Sequence, residues 1–177
     1  MSSSLFDLSK IQCVILAGGR GTRLGAITRR TPKPAVKING RPFILYKIDS
    51  LIRYGFRNFL FLVSFESEKL TKIVEDYAKN KNFNFSFLKD QSQAGTLAAL
   101  VEAEKKLEKI FFYTNADEIS LFDIRQMYIL FCTQNALVTA LVKKDTNGYL
   151  TVNQHLINQK KKIGEGKNLF LKKFNFF

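Results

Sequence analysis

Short apolar runs and helical apolar stripes alternate along most of this chain. The runs are rich in β-branched and aromatic residues, which is typical of buried strands. Five of them predict strands, at residues 12–17, 59–64, 83–87, 110–114 and 137–142. The segments between them repeat apolar residues at helical spacing. They predict four helices, at residues 42–54, 67–77, 95–107 and 121–134.

Strands that alternate with helices are the sequence sign of βαβ units. We therefore predict an α/β fold with a doubly wound, mostly parallel, Rossmann-like sheet and helices on both faces. Ligands of such sheets bind beyond the carboxyl ends of the strands. The pattern also predicts an N-terminal extension at residues 1–10, one domain at residues 11–158 and a Lys/Phe-rich tail at residues 159–177.

Composition is ordinary for one soluble globular domain, with 177 residues of which 46% are hydrophobic and 24% charged. The first ten residues lack the pattern of a secretory leader, and no run approaches the length needed to span a bilayer. We therefore expect a cytoplasmic chain without membrane contact. Cys13 and Cys132 fall on apolar patterns, so we expect two buried thiols rather than a disulfide or a metal pair.

The net charge of +13 raises nucleic-acid binding as a hypothesis. Two clusters hold most of this charge. Residues 20–37 carry six Lys or Arg and no acid, residues 159–177 carry six Lys and one Glu, and the rest of the chain has a net charge of +2. A polyanionic nucleotide would account for the first cluster. Since no segment combines regularly spaced basic residues with exposed aromatics, we expect no nucleic-acid partner.

A glycine-rich loop follows the first predicted strand. Its sequence is Leu16-Ala17-Gly18-Gly19-Arg20-Gly21-Thr22-Arg23-Leu24. Glycines permit backbone conformations closed to other residues and let amides approach a ligand, and converging amides bind anions. The planar guanidinium of Arg23 suits phosphate oxygens. The spacing fits neither the Walker pattern nor the dinucleotide fingerprint. We interpret the loop as a polyphosphate cradle, and the alternative is a plain turn beside a solvated basic face.

A second element follows in Thr31-Pro32-Lys33-Pro34. Because Lys33 lies between two prolines, its backbone is expected to be extended and stiff. A stiffly mounted lysine near a phosphate loop is a positioned point charge.

These two elements, in this order, resemble the nucleotide-binding signature of the sugar-1-phosphate nucleotidyltransferases, also called sugar-nucleotide pyrophosphorylases. The resemblance covers about residues 11–145. It implies catalytic roles for Arg23 and Lys33, and its compact loop is most similar to the guanylyl-transferring branch that acts on mannose- or heptose-type sugars. It further implies nucleotide contacts from the loop residues Leu16, Ala17, Gly18, Gly19, Gly21 and Thr22.

The third predicted strand leads to a segment that the resemblance assigns to base recognition. In the family, a glycine here lets the base lie against the backbone, and a polar side chain five residues earlier reads the base edge. These positions are Gly95, followed by Thr96, and Asp90. The alternative for Asp90 is a capping or solvated loop acid.

The fourth predicted strand runs into Asn115-Ala116-Asp117-Glu118. A carboxylate directly after a buried strand, beside a phosphate loop, suits Mg²⁺, which takes one or two carboxylates plus phosphate oxygens. The resemblance also implies a metal-binding, catalytic aspartate here, at Asp117. The alternative is that Asp117 caps the following helix.

The family pattern is not followed to its end. Its later sugar-phosphate and second metal elements are absent, and the register of Lys161 or Lys162 with the acceptor lysine is open, so the sugar-phosphate contacts stay unassigned. A hairpin is expected at residues 149–157. Residues 169–177 lack an evident partner, and we expect poor packing after about Asn158, either from truncation or because a partner completes the fold.

The function predicted from these residues is transfer of a nucleotidyl group from a nucleoside triphosphate to a sugar 1-phosphate, with Mg²⁺ as cofactor. The alternative is a non-catalytic module that binds a nucleotide or a sugar phosphate. A homo-oligomer is compatible with either function.

Overall fold

A six-stranded sheet with helices on both faces organises the structure. The computed structural model describes residues 7–19, 25, 28, 31–64, 67–89, 96–119, 122–140 and 168–172. The strands are β1 (Gln12–Leu16), β2 (Lys37–Ile38), β3 (Arg41–Pro42), β4 (Asn58–Val63), β5 (Asn84–Lys89), β6 (Ile110–Asn115), β7 (Val138–Ala140) and β8 (Asn168–Lys172). The helices are α1 (Phe43–Tyr54), α2 (Glu68–Ala78), α3 (Thr96–Glu102) and α4 (Ile124–Thr133), and short 3₁₀ turns cover Leu8–Lys10, Lys33–Ala35 and Glu104–Lys106.

The strand order in the sheet is β5-β4-β1-β6-β8-β7. Strand β1 pairs in parallel with β4 and with β6, β5 is parallel to β4, and β8 is antiparallel to both of its neighbours. The chain moves outward from β1 to β4 and β5, then returns past β1 to β6. The order therefore reverses between β1 and β6, and such a reversal opens a ligand crevice at the carboxyl ends of the strands.

Two apolar layers cover the two faces of the sheet. Cys13 and Ile15 of β1 face a layer built with α1, α2 and α4. Val14 faces the opposite layer, to which α3 contributes Ala99. Helix α3 lies on this second face because a right-handed crossover that returns across the sheet must cover the opposite side. The predicted α/β, mostly parallel fold with helices on both faces is confirmed.

A short hairpin that the apolar pattern did not predict precedes α1. Strands β2 and β3 pair in antiparallel fashion around Asn39 and Gly40. Both turn residues have positive φ, 50° and 78°. An Asn-Gly pair tolerates this conformation and is the usual choice for a two-residue turn. The hairpin strands are only two residues long, which is too short for a periodic signal.

The C-terminal strand β8 corrects the expectation that the end of the chain has no partner. Residues 168–172 lie between β6 and β7, with Phe112 opposite Phe170 and Thr139 also opposite Phe170. Without β8, the backbone groups on one side of β6 would need another hydrogen-bond partner. The apolar, strand-forming sequence of β8 provides that partner. The hairpin expected at residues 149–157 lies outside the described residues, as do the lysines at 160–162.

Three further positions refine the expectations for the core. Leu8, in the segment predicted as an extension, is buried at 2% exposure. Cys13 is buried as predicted, and burial raises the pKa of its thiol. Cys132 is exposed, so that prediction was wrong, because the residue lies just beside the buried stripe of α4 that ends at Phe131.

In the ranges that the structure describes, no helix has the length and apolar character needed to cross a membrane.

Candidate active site

The candidate site lies where β1 and β6 end side by side. Beyond the strands, the Ala17 amide donates to the Leu62 carbonyl at 2.7 Å, and the Ala116 amide donates to the Leu16 carbonyl at 2.9 Å. These bonds continue the parallel pairing to the points where both loops leave the sheet. The start of the glycine loop and the acidic segment after β6 are therefore neighbours on one firmly paired edge.

Lys33 and Asp117, 84 residues apart in the chain, meet at this edge. The Lys33 ammonium nitrogen Nζ lies 2.5 Å from Oδ2 of Asp117. Their side chains are 37% and 34% exposed, so the pair faces solvent and adds little to stability. The structure thus brings together two of the three residues predicted to be catalytic.

The backbone of Lys33 differs from the extended conformation predicted for it. Lys33 begins the 3₁₀ turn Lys33–Ala35, and its carbonyl accepts from the Val36 amide at 3.2 Å. The Val36 carbonyl in turn accepts from the Phe43 amide at 2.9 Å, and Pro34 is buried. These bonds and the burial outweigh the tendency of a residue before proline to be extended. The turn, rather than the prolines alone, fixes the position of Lys33.

The first two loop glycines do not adopt the conformations predicted for them. Neither Gly18 nor Gly19 has a positive φ. A Cβ atom added to Gly18 would lie 3.5 Å from Ser64, an ordinary contact, and one added to Gly19 would meet nothing within 4 Å. Conformational freedom is therefore not the reason for a glycine at either position. Close approach of a ligand to the backbone stays a prediction for both.

The remaining predicted contacts are only partly described. Leu16 ends β1, Ala17 is buried beside it, and Thr96 begins α3. The other predicted nucleotide and base contacts lie outside the described residues: Gly21, Thr22, Arg23, Asp90 and Gly95. Their roles stay predictions.

The alternative role of Asp117 as a helix cap is excluded. Helix α4 is capped by Asp123, whose Oδ1 accepts from the Arg125 amide at 2.9 Å. Asp117 is six residues earlier in the chain and points its carboxylate at Lys33 instead.

Asp117 and Glu118 are the two carboxylates that follow β6 at this edge. Among the residues described, no three His, Cys, Asp or Glu side chains are grouped to hold a metal ion. Mg²⁺ commonly takes one or two carboxylates and completes its shell with phosphate oxygens and water. These two carboxylates therefore fit a Mg²⁺ ion that arrives with a triphosphate.

Arg41 in β3 braces the hairpin against two helices. Its Nη2 atom donates to Asp49 Oδ2 of α1 at 2.7 Å and to the Tyr77 hydroxyl of α2 at 3.1 Å. Its guanidinium also lies over the Tyr46 and Tyr77 rings, 4.9 and 5.5 Å from their centroids. Burial alone would raise the pKa of Asp49, but hydrogen bonds from Tyr77 and Arg41 outweigh it and lower that pKa. The brace holds the hairpin, which directly follows the turn that carries Lys33.

An open groove of about 620 Å³ lies on the α2 side of that turn. Its basic lining residues are Lys37, Lys69 and Lys72, and Lys69 Nζ donates to the Thr31 hydroxyl at 2.9 Å. Neither Lys33 nor Asp117 lines it. The groove is therefore adjacent to the site at the strand ends and separate from it.

A buried lysine that was not among the predicted site residues lies beneath the site. Lys47 of α1 is 2% exposed, and its Nζ atom donates to the Thr114 hydroxyl oxygen of β6 at 2.7 Å. Burial lowers the pKa of Lys47 to about 8, although the charges of Cys13, Glu118 and Asp117 act in the opposite direction. The helical spacing of the sequence could have predicted its burial, because Lys47 takes an apolar position in the stripe Ile44-x-x-Lys47-Ile48-x-x-Leu51.

Comparison with known proteins identifies the family. A family model described as nucleotidyl transferase matches residues 12–155. The chain belongs to this nucleotidyl transferase family. The resemblance drawn from the glycine loop and the Pro-Lys-Pro element is thereby confirmed.

Relatives in this family include guanylyltransferases. The chain is 31% identical to mannose-1-phosphate guanylyltransferase catalytic subunit beta of Drosophila melanogaster, over 75% of this chain and 37% of that protein. It is 32% identical to mannose-1-phosphate guanyltransferase of Saccharomyces cerevisiae, over 64% and 32%. The chain therefore spans about a third of the length of these curated relatives.

Solved structures agree on the fold. HddC from Yersinia pseudotuberculosis in complex with GMP-PN matches with a TM-score of 0.59 at 27% identity, over 72% of this chain and 56% of that one. A putative glucose-1-phosphate thymidylyltransferase from Bacillus anthracis matches with a TM-score of 0.69 at 18% identity, over 92% and 72%. The second likeness shows the fold alone.

Proposed function

We propose that this chain is the nucleotide-binding part of a sugar-1-phosphate nucleotidyltransferase that uses GTP as its donor. The observation that carries the proposal is the contact between Lys33 and Asp117 at the carboxyl ends of β1 and β6. Two motif residues far apart in sequence meet where this fold binds its ligands. The guanylyltransferase relatives support guanosine as the nucleoside. Since nucleoside triphosphates are made in the cytoplasm, the proposal includes a cytoplasmic location.

The proposed reaction needs no protein nucleophile. A phosphate oxygen of the sugar 1-phosphate attacks the α-phosphorus of the triphosphate and forms a new P–O bond. The bond from the α-phosphorus to the bridging oxygen breaks, and pyrophosphate leaves with the electron pair. Catalysis of such a transfer depends on alignment and on stabilisation of negative charge. Lys33 and Arg23 are the cations proposed for that task.

The Lys33–Asp117 pair suggests how the site changes when substrate binds. Each charge has an alternative partner in a Mg²⁺-triphosphate complex. The Lys33 ammonium would exchange the Asp117 carboxylate for a phosphate oxygen, and Asp117 would then be available to hold Mg²⁺. Because the pair is solvent-exposed, the exchange loses little free energy. The ligand-free contact therefore holds both groups at the place where they are needed.

A binding module without transferase activity is the second candidate. The observation that favours it is that Lys33 and Asp117, which meet at the strand ends, are both expected on the nucleotide side of the reaction, while the sugar-phosphate contacts are unassigned. Such a module would keep the nucleotide contacts and lack the residues that align the sugar phosphate.

Two measurements test the proposal and separate the candidates. Calorimetry with GTP, UTP, CTP and dTTP, with and without Mg²⁺, should show the tightest binding for GTP with Mg²⁺. Pyrophosphate release with a panel of sugar 1-phosphates then distinguishes an enzyme from a module. Binding without release for every sugar supports the module. A clear preference for UTP or dTTP contradicts the guanylyl assignment, and no nucleotide binding contradicts both candidates.

A further inference from the structure

Lys47 is an unusual residue for a hydrophobic layer. It lies on the face of α1 that packs against the sheet, between Ile44 and Ile48, which are both fully buried. Among the residues that the structure describes, its ammonium makes one hydrogen bond, to Thr114, and touches no carboxylate. A buried ammonium held by one neutral hydroxyl is unfavourable for folding. Stability therefore does not explain why a lysine occupies this position.

The location of Lys47 gives a different explanation. Thr114 is the next-to-last residue of β6, and Asp117 follows three residues later. The charges of Glu118 and Asp117 act to raise the pKa of the Lys47 ammonium, against the effect of burial. The lysine thus lies behind the strand end that carries the carboxylates, while Lys33 lies in front of it, at the surface.

We propose that Lys47 is a positioning residue, which holds the end of β6 through Thr114 and orients Asp117 toward the Mg²⁺-triphosphate complex. This inference rests on the proposed function, because it assigns Lys47 a task at that same site. A fixed positive charge on the inner side attracts the carboxylates and restricts their range of positions. When Lys33 moves to a phosphate oxygen, Lys47 remains as the cation that keeps Asp117 in place.

The ratio of two dissociation constants isolates this effect. GTP is titrated into each protein in EDTA and again in saturating Mg²⁺, and the ratio measures how much the metal contributes. A general attraction between Lys47 and the triphosphate would change both constants equally and leave the ratio unchanged. Loss of orientation at Asp117 changes only the constant in Mg²⁺.

The variants come in matched pairs. Lys47→Met keeps an unbranched side chain of similar size and removes its charge, and Lys109→Met is the control at an exposed lysine. Thr114→Val keeps the shape of the threonine and removes the acceptor, whereas Thr114→Ser keeps the acceptor. We expect Lys47→Met and Thr114→Val each to reduce the Mg²⁺ ratio by about fivefold or more, the size of the net contribution of one ordinary hydrogen bond. Thr114→Ser and Lys109→Met should keep the wild-type ratio.

A double mutant decides whether the effect passes through Asp117. In an Asp117→Asn background, Lys47→Met should change the ratio no further. The free energy of unfolding of each variant is measured in parallel, without ligand. If Lys47→Met does not fold, the Thr114→Val and Thr114→Ser pair carries the test.

The outcomes separate this inference from the proposed function. Wild-type protein that binds GTP with Mg²⁺ enhancement, together with an unchanged ratio in Lys47→Met or in Thr114→Val, overturns the inference alone. Equal losses in Thr114→Val and Thr114→Ser also overturn it, because the acceptor would then be irrelevant. Wild-type protein that binds no nucleotide in either condition overturns the proposed function, and the inference with it.

Discussion

Lys33 and Asp117 form an ion pair that contributes little to stability, and the proposed function gives it a chemical role. Both side chains are about one third exposed, so solvent screens their attraction. By contrast, a contact with a phosphate group or a bound metal ion would be charge-assisted in a drier, ligand-filled site. The two residues should therefore matter much more to binding than to folding.

We expect Lys33→Ala and Asp117→Asn each to weaken GTP binding in Mg²⁺ by about tenfold or more, because each removes a charge-assisted contact of roughly 1.5–3 kcal/mol. The free energy of unfolding without ligand should change by less than about 1 kcal/mol. Calorimetry and urea unfolding give the two quantities, and Lys69→Ala in the adjacent groove is the control. Unchanged affinity in both variants would mean that the basic segment is only a solvated surface.

For Lys47 we predict, in contrast, a substitution that stabilises the folded protein. A lysine pKa lowered from 10.5 to about 8 means that the charged form is disfavoured in the folded protein. This corresponds to a destabilisation on the order of 3 kcal/mol at neutral pH. Lys47→Met relieves it but loses the bond to Thr114, so we expect a net gain of about 1–2 kcal/mol at pH 7.

The pH dependence of that gain follows from linkage. Between pH 8 and 10.5 the folded wild type loses the Lys47 proton before the unfolded chain does, so wild-type stability rises with pH and the advantage of Lys47→Met shrinks. The titratable groups that act on Lys47 are Cys13, whose buried thiol has a raised pKa, and the carboxylates of Glu118 and Asp117. Urea unfolding of both proteins from pH 7 to 10.5 measures the difference. A gain that is constant with pH would show that charge is not its cause.

At the scale of elements, the apolar periodicity of the sequence predicted the longer helices and strands. The four helices and five strands occur within a few residues of their predicted bounds, because each has an apolar stripe or run that the sheet buries. The hairpin of β2 and β3 was missed. Its stability comes from an Asn-Gly turn and from Arg41, whose partners Asp49 and Tyr77 lie on helices distant in sequence, and no local pattern reports such contacts.

The prediction at the scale of elements concerns the bonds of Arg41 to Asp49 and Tyr77, which connect the hairpin to α1 and α2. Asp49→Asn should lower the free energy of unfolding by about 1 kcal/mol at pH 7, because it removes charge-assisted bonds of a partly exposed pair. The folded pKa of Asp49 is lowered, so its contribution is complete above the unfolded value near 4 and is lost as pH falls through the folded pKa. The free energies of unfolding of wild type and Asp49→Asn should therefore differ by about 1 kcal/mol at pH 7, and the difference should shrink at pH 3. An equal loss at both pH values would assign the effect to packing.

At the scale of the whole molecule, the sequence predicted which edge of the sheet carries the two motifs better than it predicted which side chains meet there. The motifs after β1 and β6 lie on one edge because parallel strands end on the same side of a sheet. The pairing of Lys33 with Asp117 and the burial of Lys47 could not be read from the chain, since both depend on how α1 and the Pro-Lys-Pro turn pack against the sheet. The same holds for β8, whose partners follow from the edge that β6 leaves open.

Strand β8 supports the last prediction, which concerns the sheet as a whole. A chain that ends at residue 167 would lack β8, and it would leave one side of β6 and of β7 without hydrogen-bond partners. Strand β6 carries Phe111, Phe112 and Tyr113, all buried, so the new edge would be long and apolar, which favours aggregation. We expect a loss of several kcal/mol in the free energy of unfolding and oligomers in size-exclusion chromatography. A chain that ends at residue 172 keeps β8 and is the matched control. If both truncations unfold and elute like the full chain, β8 is not part of the stable sheet.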